Sequence, residues 1–158
     1  MATPKIGNKA PAFTLKNQEG KSVRLSSFAG EKNVVVYFYP KAMTPGCTTQ
    51  ACGIRDAQAE FDTLDTVVLA ISPDPFERLK KFEDKHQLNF ILLSDEDHAV
   101  AEKYGVWGLK KFMGKEFMGI LRTTFIVGKD GKLKHVMDKV KTKTHDQDVI
   151  KIIRDTLS

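Results

Sequence analysis

Cysteine, histidine and long apolar runs are all scarce in this chain, and each scarcity excludes a class of protein. The chain has only two cysteines, too few for a disulfide framework or a closed four-ligand zinc site. No apolar run approaches the roughly 18 residues of a membrane span, and the first residues lack the apolar core of a signal peptide. These absences predict a cytoplasmic protein without a membrane partner. The histidines are scattered and supply no compact ligand pair, so no metal site and no cofactor are predicted: His86, His98, His135 and His145.

Nothing in the chain marks a domain boundary. It contains no repeat, low-complexity tract or linker, and its 158 residues fit one domain. We therefore predict a single domain over residues 1–158. The net charge of +5 is modest. Lysines concentrate between Lys129 and Lys143 without the interleaved aromatic residues of a base-stacking surface, so we expect a solvated basic loop and no nucleic-acid partner. A docking face for an acidic partner is the alternative.

Hydrophobic periodicity divides the chain into strands and helices. Strands are predicted at Phe13–Leu15, Ser22–Leu25, Asn33–Tyr39, Thr66–Ser72, Phe90–Leu93, Thr123–Val127 and Lys132–Met137. Helices are predicted from Pro45 through Leu64, at Pro75–Gln87, at Asp97–Tyr104 with acidic caps, and from a capping box at Thr144 onward. Gly105–Gly119 is predicted to be irregular because it is rich in glycine and lysine. This order predicts a three-layer α/β fold of thioredoxin-like type, with a mixed sheet, helices on both faces and an N-terminal β-hairpin.

One cysteine lies at the junction between a buried strand and the following helix, where α/β proteins place their ligands. Thr44 suits the N-cap and Pro45 the first helical position, which makes Cys47 the third helical residue. A thiolate there is stabilised by the helix dipole, as a capping carboxylate would be. The pattern indicates redox or nucleophilic chemistry, with two inert buried thiols as the alternative.

Acidity alone does not make such a cysteine fast. A cysteine with a pKa of about 8.5 is only about 3% thiolate at pH 7, and lowering that pKa to about 6 raises the thiolate fraction about thirtyfold. Because nucleophilicity falls as the pKa falls, about tenfold of this gain is lost, and reactivity rises only about a few fold. A reactive site must therefore also contain a hydrogen-bond donor and a fixed cation that stabilise the transition state. The Thr44 hydroxyl is one donor, and motif spacing alone does not identify the cation.

The segment Pro40-x-x-x-Thr44-x-x-Cys47 resembles the active-site signature of the peroxiredoxins. The longer string from Tyr37 to Asp56, YFYPKAMTPGCTTQACGIRD, is similar to the peroxiredoxin Q branch, also called bacterioferritin comigratory proteins. Further matches are LSDEDH at 93–98, YGVWG at 104–108 and RTTFI at 122–126. The resemblance covers nearly the whole chain.

This resemblance implies a peroxidase that reduces hydrogen peroxide and organic hydroperoxides. It implies that Cys47 is the peroxidatic cysteine that becomes a sulfenic acid, and that Cys52 resolves it as an intramolecular disulfide. It also implies that Thr44 hydrogen-bonds the peroxide, that Pro40 shields the pocket and that Arg122 is the cation. Thioredoxin or a similar dithiol is the implied reductant, and a monomer is the implied state.

Two other functions compete with this one. A general thiol–disulfide oxidoreductase normally uses Cys-x-x-Cys, whereas Cys47 and Cys52 are separated by four residues. Thioredoxin-like oxidoreductases also resemble one another in a cis-proline before a late strand, and this chain has no proline beyond Pro75. A non-enzymatic redox-sensing or holdase-type interaction protein with the same cysteine is the second alternative. Peroxide consumption with a thioredoxin system separates all three.

Overall fold

The computed structural model describes residues 3–157, except for the side chain of Phe112. Residues 1, 2 and 158 of the predicted domain lie outside this range. The main sheet has seven strands in the order β2-β1-β5-β4-β3-β8-β9, and β6 and β7 form a separate two-stranded sheet. None of the helices within the described range has the length and apolar character needed to cross a bilayer.

The strands and helices follow the predicted order except at two places, the added hairpin β6–β7 and the division of one predicted helix into α1 and α2. The strands are β1 Thr14–Asn17, β2 Ser22–Arg24, β3 Asn33–Phe38, β4 Thr66–Ser72, β5 Ile91–Ser94, β6 Trp107–Phe112, β7 Lys115–Ile120, β8 Thr123–Val127 and β9 Leu133–Met137. The helices are α1 Pro45–Asp56, α2 Gln58–Thr63, α3 Phe76–His86, α4 Ala99–Lys103 and α5 His145–Leu157, with a 3₁₀ turn at Leu25–Phe28. The predicted α/β class with a mixed sheet is confirmed.

The centre of the sheet is β3, whose residues are all buried. Its continuous run of β-branched and aromatic residues suits a strand that is covered on both faces. It pairs in parallel with β4 and antiparallel with β8, which makes the sheet mixed. On one face its alternate side chains pack against α1, α2, α3 and α5. The opposite face is covered more thinly, by residues of the 3₁₀ turn, α4 and the segments around them.

The acidic residues before α4 cap the helix, as predicted. The Asp95 carboxylate accepts the backbone N–H groups of Val100 and Ala101, at 3.1 and 2.9 Å. The Asp97 carboxylate accepts the N–H of Ala99 at 3.2 Å. These bonds satisfy amides that have no partner within the helix.

The segment predicted to be irregular, Gly105–Gly119, forms the hairpin of β6 and β7 instead. Met113 and Gly114 connect the two strands, with φ values of 52° and 78°. Two consecutive positive φ values are typical of the two-residue turn that matches strand twist. The prediction was wrong because it treated glycine and lysine as loop formers, whereas lysine is common on exposed edge strands.

The helix predicted from Pro45 through Leu64 is divided at Ala57. The backbone of Ala57 has φ −97° and ψ 6°, and the chain continues as α2. Ile54 and Phe61 are still buried on the same face of the sheet, so the apolar period is preserved across the break. Position 57 is an alanine and not a proline or a glycine, so no helix-breaking residue at this position predicts the division.

The sheet brings two distant parts of the chain together at one edge. β3 ends next to the start of β8, with Phe38 opposite Thr123. The loop after β3 therefore lies beside the residue that precedes β8, which is Arg122.

Candidate active site

Helix α1 begins as its sequence predicts. Thr44 is the N-cap residue with an extended backbone, Pro45 is the first helical residue, and Cys47 is the third. Helix geometry leaves the first N–H groups without partners inside the helix, so the positive end of the dipole faces the Cys47 region. The Thr44 hydroxyl does not cap the helix; it donates to the Lys41 carbonyl at 2.9 Å.

The Cys47 sulfur contacts a cation. Cys47 is only 2% exposed, and the Nη2 of the half-buried Arg122 donates to its Sγ at 3.4 Å. The two residues are 75 positions apart and meet because β3 and β8 are neighbours. Arg122, the residue that the resemblance implies as the cation, therefore lies next to Cys47.

Three buried polar residues extend this contact inward. The Nη1 of Arg122 donates to the side-chain oxygen of Gln50, which lies on α1 three residues after Cys47. The Gln50 amide nitrogen is 3.1 Å from Nδ1 of His145, and Nε2 of His145 is 2.8 Å from the Thr124 hydroxyl. Gln50, His145 and Thr124 are fully buried.

Burial lowers the pKa of His145 to about 4, so this imidazole is neutral at physiological pH. Arg122 also lowers this pKa, whereas Asp146 and Asp148 act in the opposite direction. The edge of the His145 ring meets the Tyr37 ring, with centroids 5.1 Å apart.

The loop before the helix is held from the other side by Asp74 and Arg78. The Ala42 N–H donates to Asp74 Oδ2 at 2.7 Å, and Arg78 Nη2 donates to the Ala42 carbonyl at 2.9 Å. Arg78 and Asp74 form an ion pair at 3.2 Å, and the Ser72 hydroxyl donates to Asp74 at 2.8 Å. Ala42 is thus fixed at both its N–H and its carbonyl, next to Met43 with φ 67°.

Pro40 and Thr44 lie at the two ends of this loop. Both are half-buried, and Pro40 follows the end of β3 by two residues. The hydrogen bond to Lys41 fixes the Thr44 hydroxyl oxygen. The loop therefore places Thr44 at the start of α1, the helix that contains Cys47.

Cys52 lies on α1 with Cys47, and both thiols are free. Cys52 is half-buried. The residue after it, Gly53, lies against the start of α5: a Cβ at this position would be 2.9 Å from Asp146 Oδ1. The glycine allows the two helices to approach closely, in addition to weakening α1.

Lys110 of β6 adds a second cation near Arg122. Burial lowers the pKa of Lys110, Arg122 lowers it further, and Cys47 raises it. Its side chain runs along Gly119 of β7, where an added Cβ would be 3.1 Å from Lys110 Cδ. Lys110 lies in the region that was predicted to be irregular, so its position near Arg122 was not predicted.

The buried polar residues Gln50, His145 and Thr124 were not predicted to belong to the site. Gln50 occupies the same helix face as Ala51 and Ile54, and a polar residue on an apolar face is a signal that was available. His145 was considered only as one of four scattered histidines. Asp74 and Arg78 carry no motif, and their role becomes visible only when α3 packs beside the loop.

Comparison with known proteins places these features in a family. The chain matches the AhpC/TSA family over residues 6–136. It is 56% identical over 149 residues to a putative peroxiredoxin bcp of Haemophilus influenzae, covering 94% of this chain and 96% of the relative. It is 48% identical over 153 residues to peroxiredoxin Bcp of Bacillus subtilis, covering 97% of each.

Solved structures give the same result. A peroxidoxin BcpB from Mycobacterium tuberculosis superimposes with a TM-score of 0.85 at 35% identity, over 98% of this chain and 99% of that one. A bacterioferritin comigratory protein from Xanthomonas campestris also gives 0.85, at 31% identity over 90% of each chain. The chain therefore belongs to the AhpC/TSA family and, within it, to the Bcp or peroxiredoxin Q type of peroxiredoxin, which are thiol-dependent peroxidases.

Proposed function

We propose that Cys47 is the peroxidatic cysteine, that Cys52 is the resolving cysteine, and that thioredoxin or a similar dithiol recycles the enzyme. The observation that carries the first role is the contact between Cys47 Sγ and Arg122 Nη2, at 3.4 Å beside the start of α1. A sulfur in this position is adjacent to a fixed positive charge and to the positive end of a helix. Both favour a thiolate and the anionic transition state of its attack.

In the first step, the Cys47 thiolate attacks the terminal oxygen of a hydroperoxide. The S–O bond forms as the O–O bond breaks, and the leaving alkoxide or hydroxide takes a proton to give an alcohol or water. Cys47 is oxidised to a sulfenic acid and the peroxide is reduced. Arg122 offers a donor to the oxygen that gains charge, and the Thr44 hydroxyl lies at the same helix start.

In the second step, the Cys52 sulfur attacks the sulfenic sulfur. The S–S bond forms, the S–O bond breaks, and the oxygen leaves as water. A dithiol partner then reduces the disulfide and is itself oxidised, which restores both thiols. We propose that the single domain acts as a monomer in a reducing, cytoplasmic setting, where such a dithiol is maintained.

Hydrogen peroxide and organic hydroperoxides are the proposed substrates. The Xanthomonas campestris relative has alkyl peroxide reduction activity, which supports organic hydroperoxides as substrates of this chain. Pro40, half-buried at the mouth of the loop, is proposed to shield the sulfur from water.

Steady-state peroxide consumption with a thioredoxin system tests the proposal. Wild-type protein should turn over, Cys47→Ser should be inactive and fold normally, and Cys52→Ser should consume about one equivalent and then stall. Disulfide exchange without peroxide consumption would instead indicate a general oxidoreductase. Sustained turnover by Cys47→Ser would contradict the assignment.

A further inference from the structure

We propose that His145 is a positioning residue for peroxide reduction, acting through Gln50 to hold the Arg122 guanidinium against the Cys47 sulfur. The inference rests on the proposed roles of Cys47 and Arg122. It assigns a function to a buried chain of hydrogen bonds that peroxide chemistry does not itself require.

The donors and acceptors in this chain of hydrogen bonds can be assigned in only one way. Arginine can only donate, so Gln50 must present its oxygen to Arg122 and its NH₂ group to Nδ1 of His145. Nδ1 must then be the acceptor, which places the imidazole proton on Nε2. That proton is donated to the Thr124 hydroxyl.

This chain of hydrogen bonds begins at Arg122 and ends at Thr124, two residues further along the sequence. Arg122 immediately precedes β8 and Thr124 is the second residue of this strand, and residues two apart in extended chain project to the same side. From Arg122 the chain passes to α1 through Gln50, to α5 through His145, and back to β8 through Thr124. Gln50 is thus held by Arg122 on one side and by His145 on the other, and Nη2 of Arg122 remains directed at Cys47.

The surroundings keep His145 in the neutral form that this direction needs. His145 is 0% exposed and is the first residue of α5, where the helix dipole disfavours a positive charge. The charged groups that face it are Arg122, Asp146 and Asp148, and the Tyr37 ring packs on its other side. Burial outweighs the two carboxylates, and the pKa falls to about 4. A protonated Nδ1 would face the Gln50 NH₂ group and break the chain.

Three variants separate positioning from simple packing. His145→Phe keeps a ring but removes both nitrogens, whereas His145→Asn keeps an acceptor near the position of Nδ1. Val149→Ala creates a cavity in the same helix, at a residue that is also 0% exposed, and leaves the hydrogen bonds intact. The quantity to compare is the second-order rate constant for oxidation of Cys47 by hydrogen peroxide, with the thiolate fraction measured in parallel.

We expect His145→Phe to lower this rate constant about tenfold or more, because a small misplacement of a catalytic group is costly. His145→Asn should recover most of the loss, and Val149→Ala should stay near wild type. A His145→Phe rate equal to that of Val149→Ala would overturn the inference. Should His145→Phe fail to fold, Thr124→Val and Thr124→Ser provide the same comparison at the far end of the chain.

Nuclear magnetic resonance of ¹⁵N-labelled histidine provides a second test on the wild-type protein. His145 should show the proton on Nε2 and should not titrate between about pH 5 and 8. A proton on Nδ1 would overturn the inference even if the protein were an active peroxidase. Wild-type protein that reduces no peroxide would overturn the proposed function itself, and the inference with it.

Discussion

Arg122 lies beside Cys47, where the proposed reaction needs a fixed positive charge in its transition state. Its Nη2 donates to Cys47 Sγ at 3.4 Å, and its Nη1 is held by Gln50. A guanidinium fixed at both ends stabilises developing negative charge without reorganising during the reaction. The thiolate fraction is a separate quantity that saturates once the thiol is fully ionised.

Arg122→Ala should therefore lower the rate constant for Cys47 oxidation by about a hundredfold or more. The change in thiolate fraction should explain only a small part of that loss. Arg24→Ala is the matched control, since Arg24 is an exposed arginine on β2, and this variant should react like wild type. If thiolate titration accounted for the whole effect of Arg122→Ala, transition-state stabilisation by this residue would be wrong.

The Thr44 hydroxyl can be tested by a pair of substitutions. Thr44→Val removes the group that is bonded to the Lys41 carbonyl and should slow peroxide reduction by about tenfold or more. Thr44→Ser keeps a hydroxyl and should retain most of the rate. Equal rates for the two variants would show that the hydroxyl has no part in the reaction.

At this scale the sequence predicts the residues of the motif but not those that hold them. Cys47, Cys52, Thr44, Pro40 and Arg122 follow from the local motif and the family resemblance. The buried hydrogen bonds through Gln50 and His145 depend on three elements meeting, and although Gln50 is visible as a polar residue on an apolar helix face, its partners are not. Burial of a polar group is a tertiary property, so no local pattern could specify the partners.

The proposed disulfide between Cys47 and Cys52 requires helix α1 to change shape. On an intact helix, Cα atoms five residues apart are about 8.6 Å from each other, whereas a disulfide normally needs less than about 7 Å. Cys47 and Cys52 both lie within the continuous α1, so their bond requires the helix to unwind. Gly53 lowers helix stability by up to about 1 kcal/mol relative to alanine.

Amide hydrogen exchange should reveal this unwinding. We expect faster exchange across Thr44–Ile54 in the disulfide form than in the reduced form, with α5 much less affected. Cys52→Ser treated with peroxide is the control that oxidises Cys47 without closing the disulfide. An unchanged exchange pattern in the disulfide form would contradict the proposed resolving role of Cys52.

The loop before α1 also depends on Asp74, which precedes α3, and on Arg78 within α3. Asp74→Ala removes the acceptor of the Ala42 N–H and the ion-pair partner of Arg78. Leaving these buried groups unpaired should cost about 1–3 kcal/mol in the free energy of unfolding, and misplacement of Thr44 should slow peroxide reduction. Asp84→Ala is the control: it removes an exposed ion pair with Lys80 and should change the free energy of unfolding by less than about 1 kcal/mol. Urea unfolding and the rate of peroxide reduction are measured for both variants. An unchanged rate for Asp74→Ala would show that the hydrogen bonds of Asp74 and Arg78 to Ala42 do not position the loop.

Elements with strong periodicity were predicted well, and weakly patterned ones were not. The strand at Thr66–Ser72 is found at its predicted bounds because its apolar run is unambiguous. The hairpin at 107–120 was missed because much of it is exposed and its side chains carry no clear alternation. The division at Ala57 follows from packing rather than from a helix-breaking residue.

The stability of the whole molecule should depend on pH through His145. Its pKa is lowered from 6.5 to about 4 in the folded protein. Between these values the unfolded chain binds more protons, so stability is full above about pH 6.5 and is lost as the pH falls toward 4. The difference corresponds to about 3 kcal/mol.

Urea unfolding at a series of pH values measures this dependence. Wild-type protein should lose stability between pH 6.5 and 4, and His145→Asn should lose less over the same range. The difference between the two curves isolates His145 from the carboxylates that titrate at lower pH. Parallel curves would show that His145 does not carry the effect.

The most direct test of the central assignment is the site at which peroxide first reacts. Reduced Cys52→Ser protein is mixed with one equivalent of hydrogen peroxide, the product is trapped with a sulfenic-acid reagent, and the modified peptide is located by mass spectrometry. We predict that the trapped oxygen lies on Cys47, and that the double variant Cys47→Ser, Cys52→Ser forms no adduct. Oxidation elsewhere in the chain, or rapid peroxide consumption by the double variant, would contradict the assignment of Cys47 as the peroxidatic residue.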